Sequence, residues 1–88
     1  MERFERLTRR EGAVLAALMD GRSAAEIADA SFVSLATVRS QIRAVLQKLD
    51  VTSQLAAVAA AHHAGWTRDG RGTAGYGTDL SAAAVGAA

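Results

Sequence analysis

The stretch SLATVRSQIRAVLQKLDV, residues 34–51, decides the fold because it predicts one long helix with an apolar face and a basic face. At the helical repeat of about 3.6 residues per turn, five apolar side chains share one side. They are Val38, Ile42, Val45, Leu46 and Leu49. Arg39, Ser40 and Arg43 fall on the turns between them. The apolar face predicts a central core helix, and the basic face raises the question of a negatively charged partner.

Length and composition limit the chain to one small domain. Its 88 residues are 50% hydrophobic, which allows a core of marginal stability. There is no cysteine, so disulfides and thiolate metal sites are excluded. The start MERFERLTRR is charged and unlike a signal peptide, and no apolar run reaches the ~18 residues that span a bilayer. We therefore expect a cytoplasmic protein with no membrane contact.

The basic charge is concentrated on the predicted helix. The formal net charge is only +1, but residues 23–33 carry two acids and no base, whereas residues 34–49 carry three bases and no acid. Screening limits each charge to about 8–10 Å at ordinary salt, so this local excess matters more than the total. A merely solubilising set of bases would usually be interspersed with Glu at i±4.

The rest of the chain predicts an all-α fold of four helices. There is no proline and no convincing alternation of apolar and polar residues, which argues against strands. Thr8 with Glu11, and Ser23 with Glu26, fit the capping box that starts a helix. We expect helices over about 9–20, 24–30 and 35–49, the first ending at Gly21 and the third capped by Ser34. A fourth is expected to start after a cap at Thr52 or Ser53 and to run to Gly65.

We expect a single core around the third helix. Its other members are Val14, Leu15, Leu18, Ile27, Ala28, Val58 and Ala61 from the helices, and Leu7, Phe32, Val33 and Val51 from the connections. The connection ASFV between the second and third helices is only about four residues long. Such a short link predicts a steep crossing, as in a helix-turn-helix.

The composition changes after Trp66 and divides the chain. The segment TRDGRGTAGYGTDLSAAAVGAA, residues 67–88, is rich in Gly and Ala and almost free of large apolar side chains. It cannot bury enough surface to offset its ordering entropy, so we predict a disordered tail. The expected organisation is a lead or linker over residues 1–6, a domain over 7–66 and this tail.

The outward face of the third helix is typical of a DNA major-groove reader. Ser40, Arg43 and Gln47 point away from the core, and Arg39 flanks them on one side. Arginine forms paired hydrogen bonds with guanine N7 and O6, and serine pairs with several base edges. Thr37 stands on the other flank with Gln41 and Lys48, where hydroxyls and cations are suited to phosphates. The alternative is an ordinary solvated face of a bundle helix.

Residues 7–66 resemble the LuxR-type helix-turn-helix, also known by the names FixJ, NarL and GerE. The similarity lies in LT-RE at the first cap, EIA in the second helix, S--TVR and LQKL-V in the third, and AV--A---G in the fourth. The resemblance implies a four-helix domain that binds double-stranded DNA as a dimer and regulates transcription. It places Arg39, Ser40 and Arg43 at base-contacting positions, and Thr37 and Lys48 near the DNA backbone.

The fourth helix carries a second apolar stripe. Leu55, Ala59 and His62 follow one another at i, i+4 and i+7, opposite the inward positions. The resemblance implies that dimers meet through this helix, so we predict a symmetric homodimer across these three residues. The alternative is that the stripe only reflects an alanine-rich composition.

Other chemistry is poorly supported by the sequence. His62 and His63 are adjacent and point about 100° apart on a helix, so they cannot share a metal ion, and we expect no metal and no cofactor. Too few polar groups are present to assemble an enzyme active site. A protein-protein interaction module without specific DNA binding stays open as an alternative function. In that case the partner would be a protein such as an RNA polymerase subunit.

Overall fold

A computed structural model describes residues 3–68, which form four α-helices preceded by a short 3-10 helix. The 3-10 helix is Phe4–Arg6, and the α-helices are α1 (Arg9–Met19), α2 (Ala24–Ser31), α3 (Leu35–Leu49) and α4 (Gln54–Ala64). No strand occurs within the described range, and none of its helices is long and apolar enough to cross a bilayer. The predicted all-α, four-helix architecture is confirmed, and each helix boundary lies within one residue of its expected position.

Each α-helix begins at a serine or threonine whose side chain accepts a backbone N–H from the first turn. The four caps are Thr8, Ser23, Ser34 and Ser53. Both predicted capping boxes are present: the Thr8 N–H donates to Glu11 Oε1 at 2.9 Å, and the Ser23 N–H donates to Glu26 Oε1 at 2.8 Å. These bonds satisfy amides that have no partner within the helix, which is why local sequence defines the helix starts.

Each α-helix also ends at a residue in the left-handed conformation. These residues are Gly21, Phe32, Asp50 and Gly65. The next amide then returns to the helix, as when the Val33 N–H donates to the Ala28 carbonyl at 3.1 Å. This Schellman arrangement satisfies the last carbonyls and reverses the chain. A residue other than glycine loses about 1–2 kcal/mol in this conformation, so Phe32 and Asp50 carry strain that the glycines do not.

The apolar face of α3 divides its length between two buried clusters. Val38 and Ile42, from its first half, pack in one with residues of α1 and α2. Val45 and Leu49, from its second half, pack in the other with residues of α1 and α4. The remaining buried members are Val14, Leu18, Ile27 and Ala28 in the first cluster, and Leu15, Ala57, Ala61 and Trp66 in the second. α3 is therefore the central helix, as the sequence predicts, and Leu46, Leu7, Val51 and Val58 are only partly buried.

The expectation that Phe32 and Val33 join the core is wrong. The Phe32 side chain is 96% exposed and Val33 is 37% exposed. Phe32 is the left-handed residue at the end of α2, with φ of 58°. Its backbone therefore departs from the helical path, and its side chain does not continue the apolar side of α2. The three-residue turn that joins α2 to α3 therefore presents an aromatic ring to solvent.

Trp66 closes one end of the core. It is buried in the second cluster, and Phe4 from the 3-10 helix stacks on it with ring centroids 6.0 Å apart. The segment predicted as a lead thus contacts the domain through Phe4. The predicted disordered tail falls on residues 67–88, of which 69–88 lie outside the described residues.

An ion pair ties the first turn of α1 to the last turn of α3. The Lys48 ammonium lies 2.6 Å from Glu11 Oε1, and the Glu11 side chain is only 12% exposed. Burial raises the pKa of the Glu11 carboxyl. The bonds from Lys48 and Thr8 and the charge of Lys48 outweigh that effect, so the pKa lies below its usual 4.5. Glu11 therefore serves both as a cap of α1 and as a link to α3.

Replacing Gly12 by alanine is expected to stabilise the domain by up to about 1 kcal/mol, the helix-propensity difference between the two residues. An added Cβ would lie 3.6 Å from the Trp66 ring, which is ordinary contact. Urea unfolding measures the change. Gly21→Ala is the matched control, and it should lose about 1 kcal/mol because Gly21 has a φ of +83°. Destabilisation by Gly12→Ala of the same size would contradict the expectation.

The Glu11–Lys48 pair is expected to make stability fall in acid. Because the folded state lowers the pKa of Glu11, its contribution is complete above the unfolded pKa and is lost as pH falls below about 4.5 through the folded value. Glu11→Gln keeps an oxygen for the Thr8 amide but loses the charge, since glutamine also completes a capping box. Urea unfolding at several pH values should show a lower, flatter stability profile for this variant.

Glu26→Gln is the matched control for that comparison. Glu26 completes the capping box of α2 and is exposed, and it has no ion pair within residues 3–68. The Glu26→Gln variant should change the stability less than Glu11→Gln does at neutral pH. Equal profiles for the two variants would show that the ion pair adds nothing beyond the helix cap.

Candidate nucleic-acid interface

The side of α3 opposite its buried face carries the predicted base-contacting residues. Arg39, Ser40 and Arg43 are all exposed. Neither arginine forms an ion pair or a side-chain hydrogen bond to any residue in the range 3–68. The structure therefore brings the three residues together on one outward surface, where no carboxylate of residues 3–68 neutralises either guanidinium group.

These side chains stand on a helix that is held firmly from behind. Val38 and Val45 are fully buried, and Ile42 and Leu49 are almost so. Arg39 and Arg43 lie between these buried residues along α3. The packing that holds the helix backbone therefore also fixes the positions of the two arginine Cα atoms. A surface on a rigid helix can present donors at constant spacing, which a loop cannot do as well.

Thr37, predicted as a phosphate contact, lies in the first turn of α3 with its hydroxyl oriented by the helix cap. The Ser34 hydroxyl donates to Thr37 Oγ1 at 2.9 Å, while the Thr37 backbone N–H donates to Ser34 Oγ at 3.0 Å. Since the Thr37 oxygen already accepts a hydrogen bond from Ser34, its own hydroxyl proton is left to donate elsewhere. The residue is exposed, so that donor is available to a ligand.

Lys48, the other predicted phosphate contact, is partly occupied within the protein. Its ammonium is bound to Glu11, and its side chain is 34% exposed. Counting charges along residues 34–49 missed this pair because Glu11 lies 37 residues earlier in the chain. An ammonium has three N–H donors, so Lys48 keeps donors for a second acceptor. Its charge, however, is offset locally by the Glu11 carboxylate.

A second polar contact between α1 and α3 was also missed by sequence reasoning. Arg10 Nε donates to Gln41 Oε1 at 3.2 Å, and one terminal nitrogen of Arg10, Nη2, is buried without an acceptor in the described part of the chain. Gln41 lines an open cleft together with Thr37 and Ser40. The sequence indicated only that Gln41 lies on the same flank of α3 as Thr37 and Lys48.

The predicted dimer residues lie on the outer side of α4. Leu55 is 79% exposed, and Ala59 and His62 are exposed as well. On the opposite side of this helix, Ala57 and Ala61 are completely buried. An apolar side chain as exposed as Leu55, aligned with two further exposed positions, leaves this stripe accessible to a partner.

Metal-binding side chains do not converge in the described range. No three histidine, cysteine, aspartate or glutamate residues of residues 3–68 lie close enough together to hold an ion. His62 and His63 are both exposed near the end of α4. The polar groups that do converge are hydrogen-bond donors on α3, which suit an anionic ligand.

The chain is similar to known regulatory proteins. The profile of the bacterial regulatory proteins of the luxR family matches residues 5–61, which include the whole helix-turn-helix. The transcriptional regulatory protein LiaR of Bacillus subtilis (strain 168) is 36% identical over 58 residues, covering 66% of this chain and 28% of that protein. The chain thus spans less than a third of this relative's length. The resemblance read from the sequence is confirmed: the chain belongs to the luxR family of bacterial regulatory proteins.

Proposed function

We propose that this chain binds double-stranded DNA sequence-specifically and regulates transcription, in the cytoplasm at the nucleoid. The observation that carries the proposal is the pair of exposed arginines, Arg39 and Arg43, on a helix whose other face is buried. Both lack carboxylate partners within residues 3–68. Family membership and the similarity to a transcriptional regulatory protein support the same function.

In the proposed complex, α3 lies in the major groove, which is wide enough for one helix. Arg39 and Arg43 each read a base pair, most favourably through two hydrogen bonds to guanine N7 and O6. Ser40, which is exposed on the same face of α3, is a supplementary base reader. No cofactor is needed, because guanidinium and hydroxyl groups supply all the donors.

Phosphate contacts fix the position of the helix and are independent of sequence. The free proton of the Thr37 hydroxyl is one proposed donor. The remaining N–H donors of Lys48 are another, although Glu11 offsets part of its charge. Binding should weaken as salt rises, because each neutralised phosphate releases counterions.

We further propose that two chains bind together through α4. A symmetric contact across Leu55, Ala59 and His62 would cover the exposed leucine, and the small Ala59 would let the two helices approach closely. Two recognition helices related by such an axis fit half-sites about 34–36 Å apart, one turn of DNA. A palindromic operator is the expected target.

Replacing Arg39 or Arg43 by alanine is expected to weaken binding to the preferred sequence by about 1–3 kcal/mol and to relax selectivity at particular base pairs. Selection from a random DNA pool supplies the preferred duplex, and titration against that duplex and a random one measures the loss. Lys48→Ala should weaken both duplexes alike, because a phosphate contact carries no sequence information.

Arg22→Ala is the control for a lost positive charge, since Arg22 is exposed in the turn between α1 and α2, on neither face of α3. It should leave selectivity unchanged. If Arg39→Ala and Arg43→Ala reduced binding to specific and random DNA equally, neither arginine would be a base reader.

The combined change of Leu55 and Ala59 to glutamine is expected to reduce affinity for a palindrome while leaving a single half-site unaffected. Both positions are exposed, so the monomer should stay folded. Sedimentation, free and on DNA, reports the assembly. His63→Gln, on the same helix but off the stripe, is the control. A native protein that sediments as a monomer both free and on its operator would rule out the dimer.

The exposed turn favours a second candidate function, docking to a protein such as an RNA polymerase subunit without specific DNA binding. Phe32 is 96% exposed and strained at a φ of 58°, and Val33 and Leu35 beside it are each 37% exposed. Phe32 lowers stability both through its strained backbone and through its exposed apolar side chain, and such residues are typical of contact sites. Mobility shift on random duplex at low salt separates the candidates, because a pure interaction module should not shift DNA even at micromolar protein.

A further inference from the structure

The hydrogen bond between Arg10 and Gln41 determines which way the Gln41 amide faces. An arginine side chain has only donors, whereas an amide has an accepting oxygen on one side and a donating NH2 group on the other. Arg10 Nε bonds to Gln41 Oε1 at 3.2 Å. No other side-chain acceptor for Arg10 occurs within residues 3–68. A reversed amide would place its NH2 group against the guanidinium and remove that acceptor, so this contact selects one orientation.

The oriented amide leaves its NH2 group without a protein partner in the described range. Oε1 faces Arg10, and Gln41 has no other side-chain hydrogen bond there. The residue is half-buried and lines the open cleft that also contains Thr37 and Ser40. Two N–H donors are thus held beside the proposed DNA-reading surface by a contact from another helix.

Thr37 offers a donor at the neighbouring position. Residues four apart on a helix lie one above the other, so the Thr37 hydroxyl and the Gln41 amide share one flank of α3. The Thr37 oxygen accepts from Ser34, which leaves its proton to donate. Glu11 also lines this cleft, but Lys48 neutralises its carboxylate. Two neutral donors in such a place suit an oxygen of an anion.

We propose that Gln41 is a further DNA-backbone contact, donating an amide N–H to a phosphate oxygen beside Thr37, and that Arg10 is a positioning residue that orients the amide. This inference rests on the proposed function, since it assumes that α3 binds DNA. It adds a neutral contact to the proposed set. It also gives α1 a part in binding although α1 carries none of the proposed base readers.

Arg10 acts through Gln41 and not as a phosphate-binding cation. Arg10 is half-buried, and its Nη2 is fully covered by protein. A cation that bound phosphate directly would change the salt dependence of binding when removed, because each neutralised phosphate contributes to the slope of log K against log salt. A neutral amide donor contributes to affinity without contributing to that slope.

The experiment is a double-mutant cycle on DNA affinity with the full chain: Gln41→Met, Arg10→Met and the double variant. Affinity is measured at several salt concentrations for a duplex selected from a random pool and for a random duplex. Arg9→Met is the matched control, because Arg9 is an exposed neighbour of equal charge with no bond to α3. Arg10→Lys keeps a donor opposite the amide oxygen, and thermal unfolding verifies that each variant is folded.

Gln41→Met is expected to lose about 3- to 10-fold in affinity on both duplexes, the effect of one hydrogen bond, with the salt slope unchanged. Arg10→Met should lose a similar factor, but nothing further when Gln41 is already methionine. Arg10→Lys should restore most of the loss. Arg9→Met should have the smallest effect on both duplexes.

Several outcomes would overturn the inference. Native affinity of Gln41→Met, measured beside an Arg43→Ala variant whose binding is weakened as expected, would refute the Gln41 contact while leaving the proposed function intact. A loss restricted to the selected duplex would mean that Gln41 reads a base. A full effect of Arg10→Met in the Gln41→Met background would refute positioning. No shift of any duplex by the native chain would refute both the contact and the proposed function.

Discussion

Burial of one side of α3 is the constraint on which the rest of the structure depends. Val38 and Val45 are completely buried, and Ile42 and Leu49 nearly so, in two clusters that together involve all the other α-helices. Burying side chains of this kind contributes about 1.5–3 kcal/mol each, a large share for so small a domain. Any rotation of α3 about its axis would expose these residues. The same packing therefore prevents Arg39 and Arg43 from turning away from solvent.

The helix ends give the domain its shape within this constraint. Each helix starts at a hydroxyl side chain and stops at a left-handed residue, so the chain reverses in few residues. At two of the stops the residue is Phe32 or Asp50, where glycine would carry less strain. The packing on both sides of the α2–α3 turn holds it in place despite that cost. Phe32 consequently lies outside the core, beside the start of α3.

Contacts from α1 divide the polar residues of α3 into two groups. Gln41 and Lys48 are held by Arg10 and Glu11, at 3.2 and 2.6 Å, and so have fixed orientations and reduced freedom. Arg39, Ser40 and Arg43 have no such contacts in the described range and keep their donors for a partner. This division matches the proposed roles, because positioning contacts benefit from rigid donors and base readers need accessible ones.

The sequence by itself determined the number of helices, their starts and stops, the central place of α3 and the outward direction of its arginines. These features depend on residues three or four apart, where capping boxes and the helical repeat apply. Only the tertiary structure decided that Phe32 faces solvent and that Phe4 stacks on Trp66. It alone paired Arg10 with Gln41 and Glu11 with Lys48, which lie 31 and 37 residues apart. Which residues pair between helices depends on how the helices pack, and the local sequence repeat carries no information about that packing.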